Sequence, residues 1–218
     1  MSINELLHEE LSDLCPDVHS SRLQAVMDVA TGLQRCKRFT ISDIGRHLQS
    51  ESTLKHRIKK VDRLFGNKHL YSDLAEICSG LSHYVFKYIA HDKATPIVVD
   101  LCYLKDGYDV QMLSAEVATQ GRSIPIYREV FGIHELKGRE IEFIENLSNC
   151  IPVGRDVVII MDAGFGDNWF DAIEKKNWYW LVRARGGKYI KLTEADDWQE
   201  ANELYSMANT RAKCYENA

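Results

Sequence analysis

Two short, strongly apolar runs in this chain each lead into an aspartate: TPIVVD, ending at Asp100, and RDVVIIMDAGF, which carries Asp162. Unbroken Val, Ile and Met over that length predict strands buried on both faces of a sheet. The carboxylate at the end of each is then a charge delivered to the sheet's rim. If the strands are neighbours, the two carboxylates converge and repel. The usual relief is a divalent cation held by hard oxygen ligands, so the pattern points to metal-assisted phosphoryl chemistry. Strand-end aspartates also serve α/β domains as loop caps or nucleotide ligands, and the two runs alone leave both uses open.

The residues before these runs have a different texture. SINELLHEELSDLC is helical in period, with Ser2 as an N-cap and Pro16 as its stop. SSRLQAVMDVATGLQRC follows, with Leu23, Val26, Val29, Ala30 and Leu33 at helical spacing. A short helix at 42–48 carries Ile44 and Leu48 inward, QSES breaks it, and Ser52 caps a second helix that runs to Phe65 and ends at Gly66-Asn67. Short helix, tight turn and basic second helix make a helix-turn-helix pattern. Leu54, Ile58, Val61 and Phe65 form the second helix's apolar stripe, leaving Lys55, Arg57, Lys59, Lys60 and Arg63 to solvent or to phosphate. Net charge is -5, yet the segment from Arg35 to Lys68 holds ten Lys or Arg against three Asp or Glu. A local excess of that sign beside a helix-turn-helix pattern favours nucleic acid over a merely solvated face.

A helix over YSDLAEICSGLSHYVFKYIA leads through HDKAT into strands from Pro96 to about Tyr103, from Val110 to about Thr119, and over SIPIYREVF. Asp106-Gly107 and Gln120-Gly121 are hairpin turn signals. LKGREIEFIENLSNCI is an amphipathic helix, DVVIIMDAGF a strand, NWFDAIEKKN a helix, and WYWLVRAR a last strand closed by Gly186-Gly187. Three antiparallel strands, then helix, strand, helix, strand is the order of the ribonuclease H-like fold, in which the first strand is central and pairs in parallel with the fourth. The expected architecture is α/β: a helical DNA-binding domain over residues 1–92, then a mixed-sheet core over 93–218. A chain of 218 residues that is 45% hydrophobic can bury both. With a mean hydropathy of -0.30 and an acidic, amphipathic start unlike a signal peptide, the expected setting is the cytoplasm, with no membrane contact. Six cysteines without a CxxC pair read as reduced structural thiols.

KHRIKKVDRLFGNKHL, PIVVD, QGRSIPIY, DAGF and WYWLVRARG, in that order, resemble the transposases of bacterial insertion sequences of the insertion-sequence-four group, the cut-and-paste DDE enzymes. The resemblance runs along essentially the whole chain. It implies a ribonuclease H-like catalytic core with two Mg²⁺ ions and a carboxylate triad, and an N-terminal domain that binds double-stranded DNA at terminal inverted repeats. By position, Asp100 and Asp162 are the first two carboxylates, with Asp100 bridging the ions. The third, a glutamate in a Tyr/Arg/Glu/Lys signature beyond an inserted β-rich subdomain, has no counterpart. The chain runs out at ANTRAKCYENA, and none of Glu194, Glu200, Glu203 or Glu216 lies in such a signature. The expectation is an incomplete core, truncated before that glutamate, with weak Mg²⁺ binding and little strand cleavage.

Further expectations attach to single residues. Arg183 and Arg185, at i and i+2 on the last strand, share a face that could meet a DNA backbone, as could Arg122 after the hairpin glycine; an ordinary surface ion pair is the other reading of each. Asp106 and Asp109 fit the hairpin turn and Asp167 a helix N-cap region. Trp169, Trp178, Tyr179 and Trp180 read as packing residues. Glu174 is the one stand-in for a third carboxylate in a self-sufficient nuclease. Partners follow from the same reading: repeat-end DNA, a homodimer partner or an intact transposase. The competing reading is a non-catalytic DNA-binding protein that occupies repeats and inhibits an intact transposase.

Overall fold

The computed structural model describes residues 3–89, 93–104, 109–135, 137–193, 196–207 and 211. It divides into two units. One comprises Met1–Lys93, Pro125–Tyr127 and Glu145–Arg155; the other comprises Ala94–Ile124, Arg128–Ile144 and Asp156–Ala218. The expected Ser2 cap and the Asp106-Gly107 turn lie outside the described residues.

The first unit is built on helices α1 (Ile3–Leu14), α2 (Ser20–Arg35), α3 (Ile41–His47), α4 (Leu54–Phe65) and α5 (Lys68–Phe86). Helix α3 starts where Thr40 Oγ1 accepts the Asp43 amide at 3.2 Å, an N-cap that satisfies one of the free N–H groups of the first turn. Ile44 and Leu48 are buried as expected, packing with Val29, Val61 and Leu64. Gly45 permits this packing: a Cβ there would stand 2.8 Å from the Ile58 Cα, so only a hydrogen lets the α3 and α4 backbones approach so closely. A second cluster joins Leu11, Cys15, Val18, Leu23, Met27 and Ile77.

Three local expectations are corrected. The α4 cap is Thr53, not Ser52, and its hydroxyl contacts His56 Nδ1 at 3.2 Å instead of a backbone amide. The inward stripe of α4 is Ile58, Val61 and Leu64, while Leu54 and Phe65 are 43% and 46% exposed. Both sets have helical spacing, and the cluster formed with α2 and α3 selects between them. Asn67 opens α5 by accepting the His69 amide at 3.0 Å, so that helix begins before Tyr71.

The second unit is organised on a five-stranded sheet in the order β3-β2-β1-β4-β5. The strands are β1 (Thr95–Tyr103), β2 (Val110–Thr119), β3 (Arg122–Gly132), β4 (Val157–Met161) and β5 (Tyr179–Val182). β1 is central. It runs antiparallel to β2 and parallel to β4, and β4 runs parallel to β5. Helices α6 (Glu140–Asn149) and α7 (Asp167–Glu174) supply the crossovers. β6 (Tyr189–Ile190) and β7 (Gln199–Glu200) form a separate antiparallel pair, followed by a 3-10 helix at Glu203–Met207.

The sheet's two faces are not equally buried, which corrects the expectation of strands enclosed on both sides. On one face Ile97, Val99, Leu113, Ala115, Val157, Ile159 and Met161 are all buried. α7 packs there, as the stacking of Phe170 on Trp180 at 4.2 Å shows, and Trp169 meets Phe143 edge to face. On the other face Val98, Val158 and Ile160 are only half-buried. Leu181 and Tyr179 stand 59% and 67% exposed. Tyr179 is therefore not the core packing residue expected, whereas Trp169 is.

Candidate metal centre and nucleic-acid interface

In the sheet unit, the parallel register pairs Val99 with Met161, so the next residues along the two strands are Asp100 and Asp162. Neighbouring strands lie about 4.8 Å apart, and in-register residues of a parallel pair share a face. Both aspartates follow the parity of Val98 and Ile160, leave the half-buried face, and are exposed. Asp100 Oδ1 accepts the Leu101 amide at 2.9 Å. Asp162 Oδ2 accepts from Arg185 Nη2 at 3.1 Å. The sequence thus delivers two carboxylates side by side.

The neighbouring strands extend this polar row. Ser114 on β2 stands opposite Asp100. Its hydroxyl donates to Glu116 Oε1 at 2.7 Å and accepts from Arg128 Nε at 3.0 Å. Arg128 Nη2 also donates to Glu116 at 2.9 Å, and Ser123 donates to the other Glu116 oxygen. Hydrogen bonds from Ser123, Ser114 and Arg128 hold the Glu116 carboxyl down at about 2. Sequence reading missed this cluster, although Ser114 and Glu116 at i and i+2 on one strand face were its available signal.

The remaining sheet residues fall as follows. β5 ends at Val182, so Arg183 and Arg185 lie beyond β5 and not on it, unlike the expectation that they share a strand face. Arg183 borders a cleft of about 450 Å³ walled by Phe165, Phe170, Trp180 and Trp198. Arg122 is exposed beside Gly121, whose φ of +82° suits the hairpin turn. Asp167 is the first residue of α7, after the Gly166 cap. Glu174 accepts the Trp180 indole N–H at 2.9 Å, on the sheet face opposite the aspartate pair. Glu200 lies on β7, Glu203 opens the 3-10 helix, and Glu194 and Glu216 lie outside the described residues.

Two carboxylates on one face offer the hard oxygen donors that suit Mg²⁺, an ion that fills its other positions with water. The residues fit such an ion, with two protein ligands. No cluster of three or more His, Cys, Asp or Glu among the described residues could hold a metal.

In the helical unit, the five basic residues of α4 divide. Arg57 Nη1 donates to the carbonyls of Leu48 at 3.0 Å and Arg46 at 3.5 Å, so this guanidinium staples the turn between α3 and α4. Lys60 is paired with Asp28. Lys55, Lys59 and Arg63 are exposed, follow one another at i, i+4 and i+8, and have no ion-pair partner among the described residues. With His56, the Lys59, Lys60 and Arg63 side chains also line a cleft of about 680 Å³ beside Ser21 of α2.

Residues 137–214, just over a third of the chain, match the family model described as the transposase DDE domain. The matched span holds Asp162, Arg183 and Arg185 and stops short of Asp100 and of the helical unit. No curated protein and no solved structure matches the chain. The chain therefore carries a segment similar to transposase DDE domains, on a mixed sheet of the expected order. No described helix is long and apolar enough to cross a membrane.

Proposed function

We propose that this chain is a polypeptide of the cut-and-paste DDE transposases, of the insertion-sequence-four group. Its helical unit binds terminal inverted repeats, and Asp100 and Asp162 act as ligands of catalytic Mg²⁺. One observation carries the reading: a parallel register that sets two carboxylates side by side on one face, one of them inside a segment similar to transposase DDE domains. When bound, the metal would activate a water or 3'-hydroxyl and steady the leaving oxygen of a phosphodiester. The chain's own work is to hold the ion with Asp100 and Asp162 and to position DNA. Lys55, Lys59 and Arg63 serve as phosphate contacts of α4. Lys60 can join them if it leaves Asp28, and Arg57 acts by shaping the turn. Arg122, Arg183 and Arg185 are proposed backbone contacts of the sheet unit. The proposed setting is the cytoplasm, with a second copy or an intact transposase as protein partner.

A second reading is favoured by a site with only two carboxylates among the described residues: a DNA-binding protein without cleavage activity that occupies repeats and inhibits an intact transposase. Incubating the purified 218-residue chain with Mg²⁺ and a repeat-end duplex separates the two. Nicking that disappears in Asp100→Ala and Asp162→Ala supports the enzyme. DNA binding without nicking supports the inhibitor, and the absence of DNA binding refutes both.

A further inference from the structure

The two aspartates are alike in register and exposure but not in company. Among the described residues, Asp100 receives only the amide of the residue that follows it. Asp162 receives a guanidinium, through a single 3.1 Å bond from Arg185, with the two side chains 59% and 51% exposed. The backbone beneath Arg185 is well anchored. Arg183 N bonds the Met161 carbonyl at 3.3 Å and continues the β4–β5 ladder. Lys188 N then closes a four-residue turn onto the Arg185 carbonyl at 3.2 Å. Gly187, third in that turn, has φ +83°, the left-handed value a type II turn requires there. On the flanks, the Tyr205 hydroxyl bonds the Ala184 carbonyl at 3.4 Å, and Ala201 N bonds the Lys188 carbonyl at 2.8 Å. An anchored backbone thus presents its guanidinium to Asp162 through one solvent-exposed bond, a kind of interaction that costs little to break.

We propose that Arg185 is the resident counter-charge of the carboxylate pair and gates it: the guanidinium neutralises Asp162 until a DNA phosphate draws it away, so that divalent cation and DNA bind with positive coupling. The inference rests on the metal reading of Asp100 and Asp162 given above. With Arg185 in place, the pair's charge of two negatives is halved, and an arriving divalent cation is repelled by a like charge a few ångströms off. At a water-like dielectric that repulsion weakens the ion's affinity about tenfold, and salt reduces the factor to about threefold. A phosphate is the natural competitor, because the planar fork of arginine matches its oxygens in two parallel bonds. Linkage then requires the converse: bound cation frees Arg185 and tightens DNA by the same factor. Arg185 is a positioning residue here, acting through Asp162.

The test is Mn²⁺ binding to the full chain, read from the electron paramagnetic resonance signal of free Mn²⁺, with and without a mixed-sequence DNA duplex. Arg185→Gln should tighten Mn²⁺ about three- to tenfold, while Arg185→Lys, which keeps the charge, should bind as the parent does. Adding duplex should tighten Mn²⁺ for the parent and leave Arg185→Gln unmoved. A purely structural role predicts the opposite sign, because an unsupported Asp162 would bind Mn²⁺ more weakly; that result overturns the gate. So does tightening by Arg185→Lys equal to that by Arg185→Gln, or a parent indifferent to duplex. Mn²⁺ binding that Asp100→Ala removes and Arg185→Gln does not change overturns the gate alone. No Mn²⁺ binding by the parent or by Arg185→Gln overturns the metal reading and the gate together.

Discussion

On α4 of the helical unit, Lys55, Lys59 and Arg63 stand in a line with no ion-pair partners among the described residues, while on the polar face of the sheet unit most charges are already spent on one another. Arg128 serves Glu116, Arg185 serves Asp162, and of these carboxylates Asp100 alone has no basic partner among the described residues. On the proposed function, the difference matches what each surface would recognise. Unpaired cations on a helix are ready for a polyanion whose position is set by shape, and their binding strength varies with salt. Charges on a rigid sheet are pre-oriented, which suits a small, geometrically demanding ion. On that reading the first surface serves reach and the second placement.

The largest effects should come from breaking the placement side. Asp100→Ala or Asp162→Ala should weaken divalent-cation affinity by a hundredfold or more, on the order of what losing one of two charged ligands costs, while Asp100→Ala, which does not release Arg185, leaves duplex affinity at low salt without the cation within about twofold. Isothermal titration with Mn²⁺ and a mobility-shift assay read the two halves. Next is the close packing beneath the reach side. Gly45→Ala drives a methyl into the Ile58 backbone, and should destabilise the helical unit by about 1–3 kcal/mol without changing amide-exchange protection of β1 and β4.

A smaller effect separates the basic residues of α4 by role. Replacing Lys55, Lys59 and Arg63 with Ala should flatten the salt dependence of DNA binding by roughly one unit of slope for each phosphate that the helix no longer neutralises. Arg57→Ala should leave that slope nearly intact and lower thermal stability instead, because its bonds go to the turn carbonyls. Equal slopes for all four variants would erase the distinction. The smallest effect concerns Glu116. Its folded-state value of about 2 lies below the ordinary 4.5, so its stabilisation is present above about 4.5 and lost as pH falls toward 2. Arg128→Gln or Ser123→Ala should raise that carboxyl and reduce the acid sensitivity of the sheet unit, measurable by side-chain NMR titration.

Much of the sheet is legible in sequence because its signals are local and strong. Apolar runs without polar interruption mark β1 and β4, the Gln120-Gly121 pair marks a hairpin, and the element order, by analogy with the ribonuclease H-like fold, indicates which strands adjoin. The juxtaposition of Asp100 and Asp162 follows from that order plus one register. Side-chain traffic across turns is not legible. Arg57 reads as one more exposed cation because a guanidinium bond to the Leu48 carbonyl leaves no periodic trace. Leu64 and Phe65 both sit one turn from Val61, and only the packing with Val29, Ile44 and Leu48 decides for Leu64. The open face escapes sequence reading for a related reason: Val98, Val158 and Ile160 are as apolar as their buried neighbours, and nothing in a strand's sequence says which face a helix will cover. The β6–β7 pair is only two residues per strand, too short for an alternating pattern to register.

The central claim is that Asp100 and Asp162 form one cation site, and crystals of the chain soaked in Mn²⁺ test it most directly through anomalous scattering. The account predicts one principal peak on the half-buried sheet face, within about 2.0–2.6 Å of an oxygen from each aspartate. An anomalous map with well-ordered aspartates and no peak between them, or with the two carboxylates on different faces of the sheet, would contradict it.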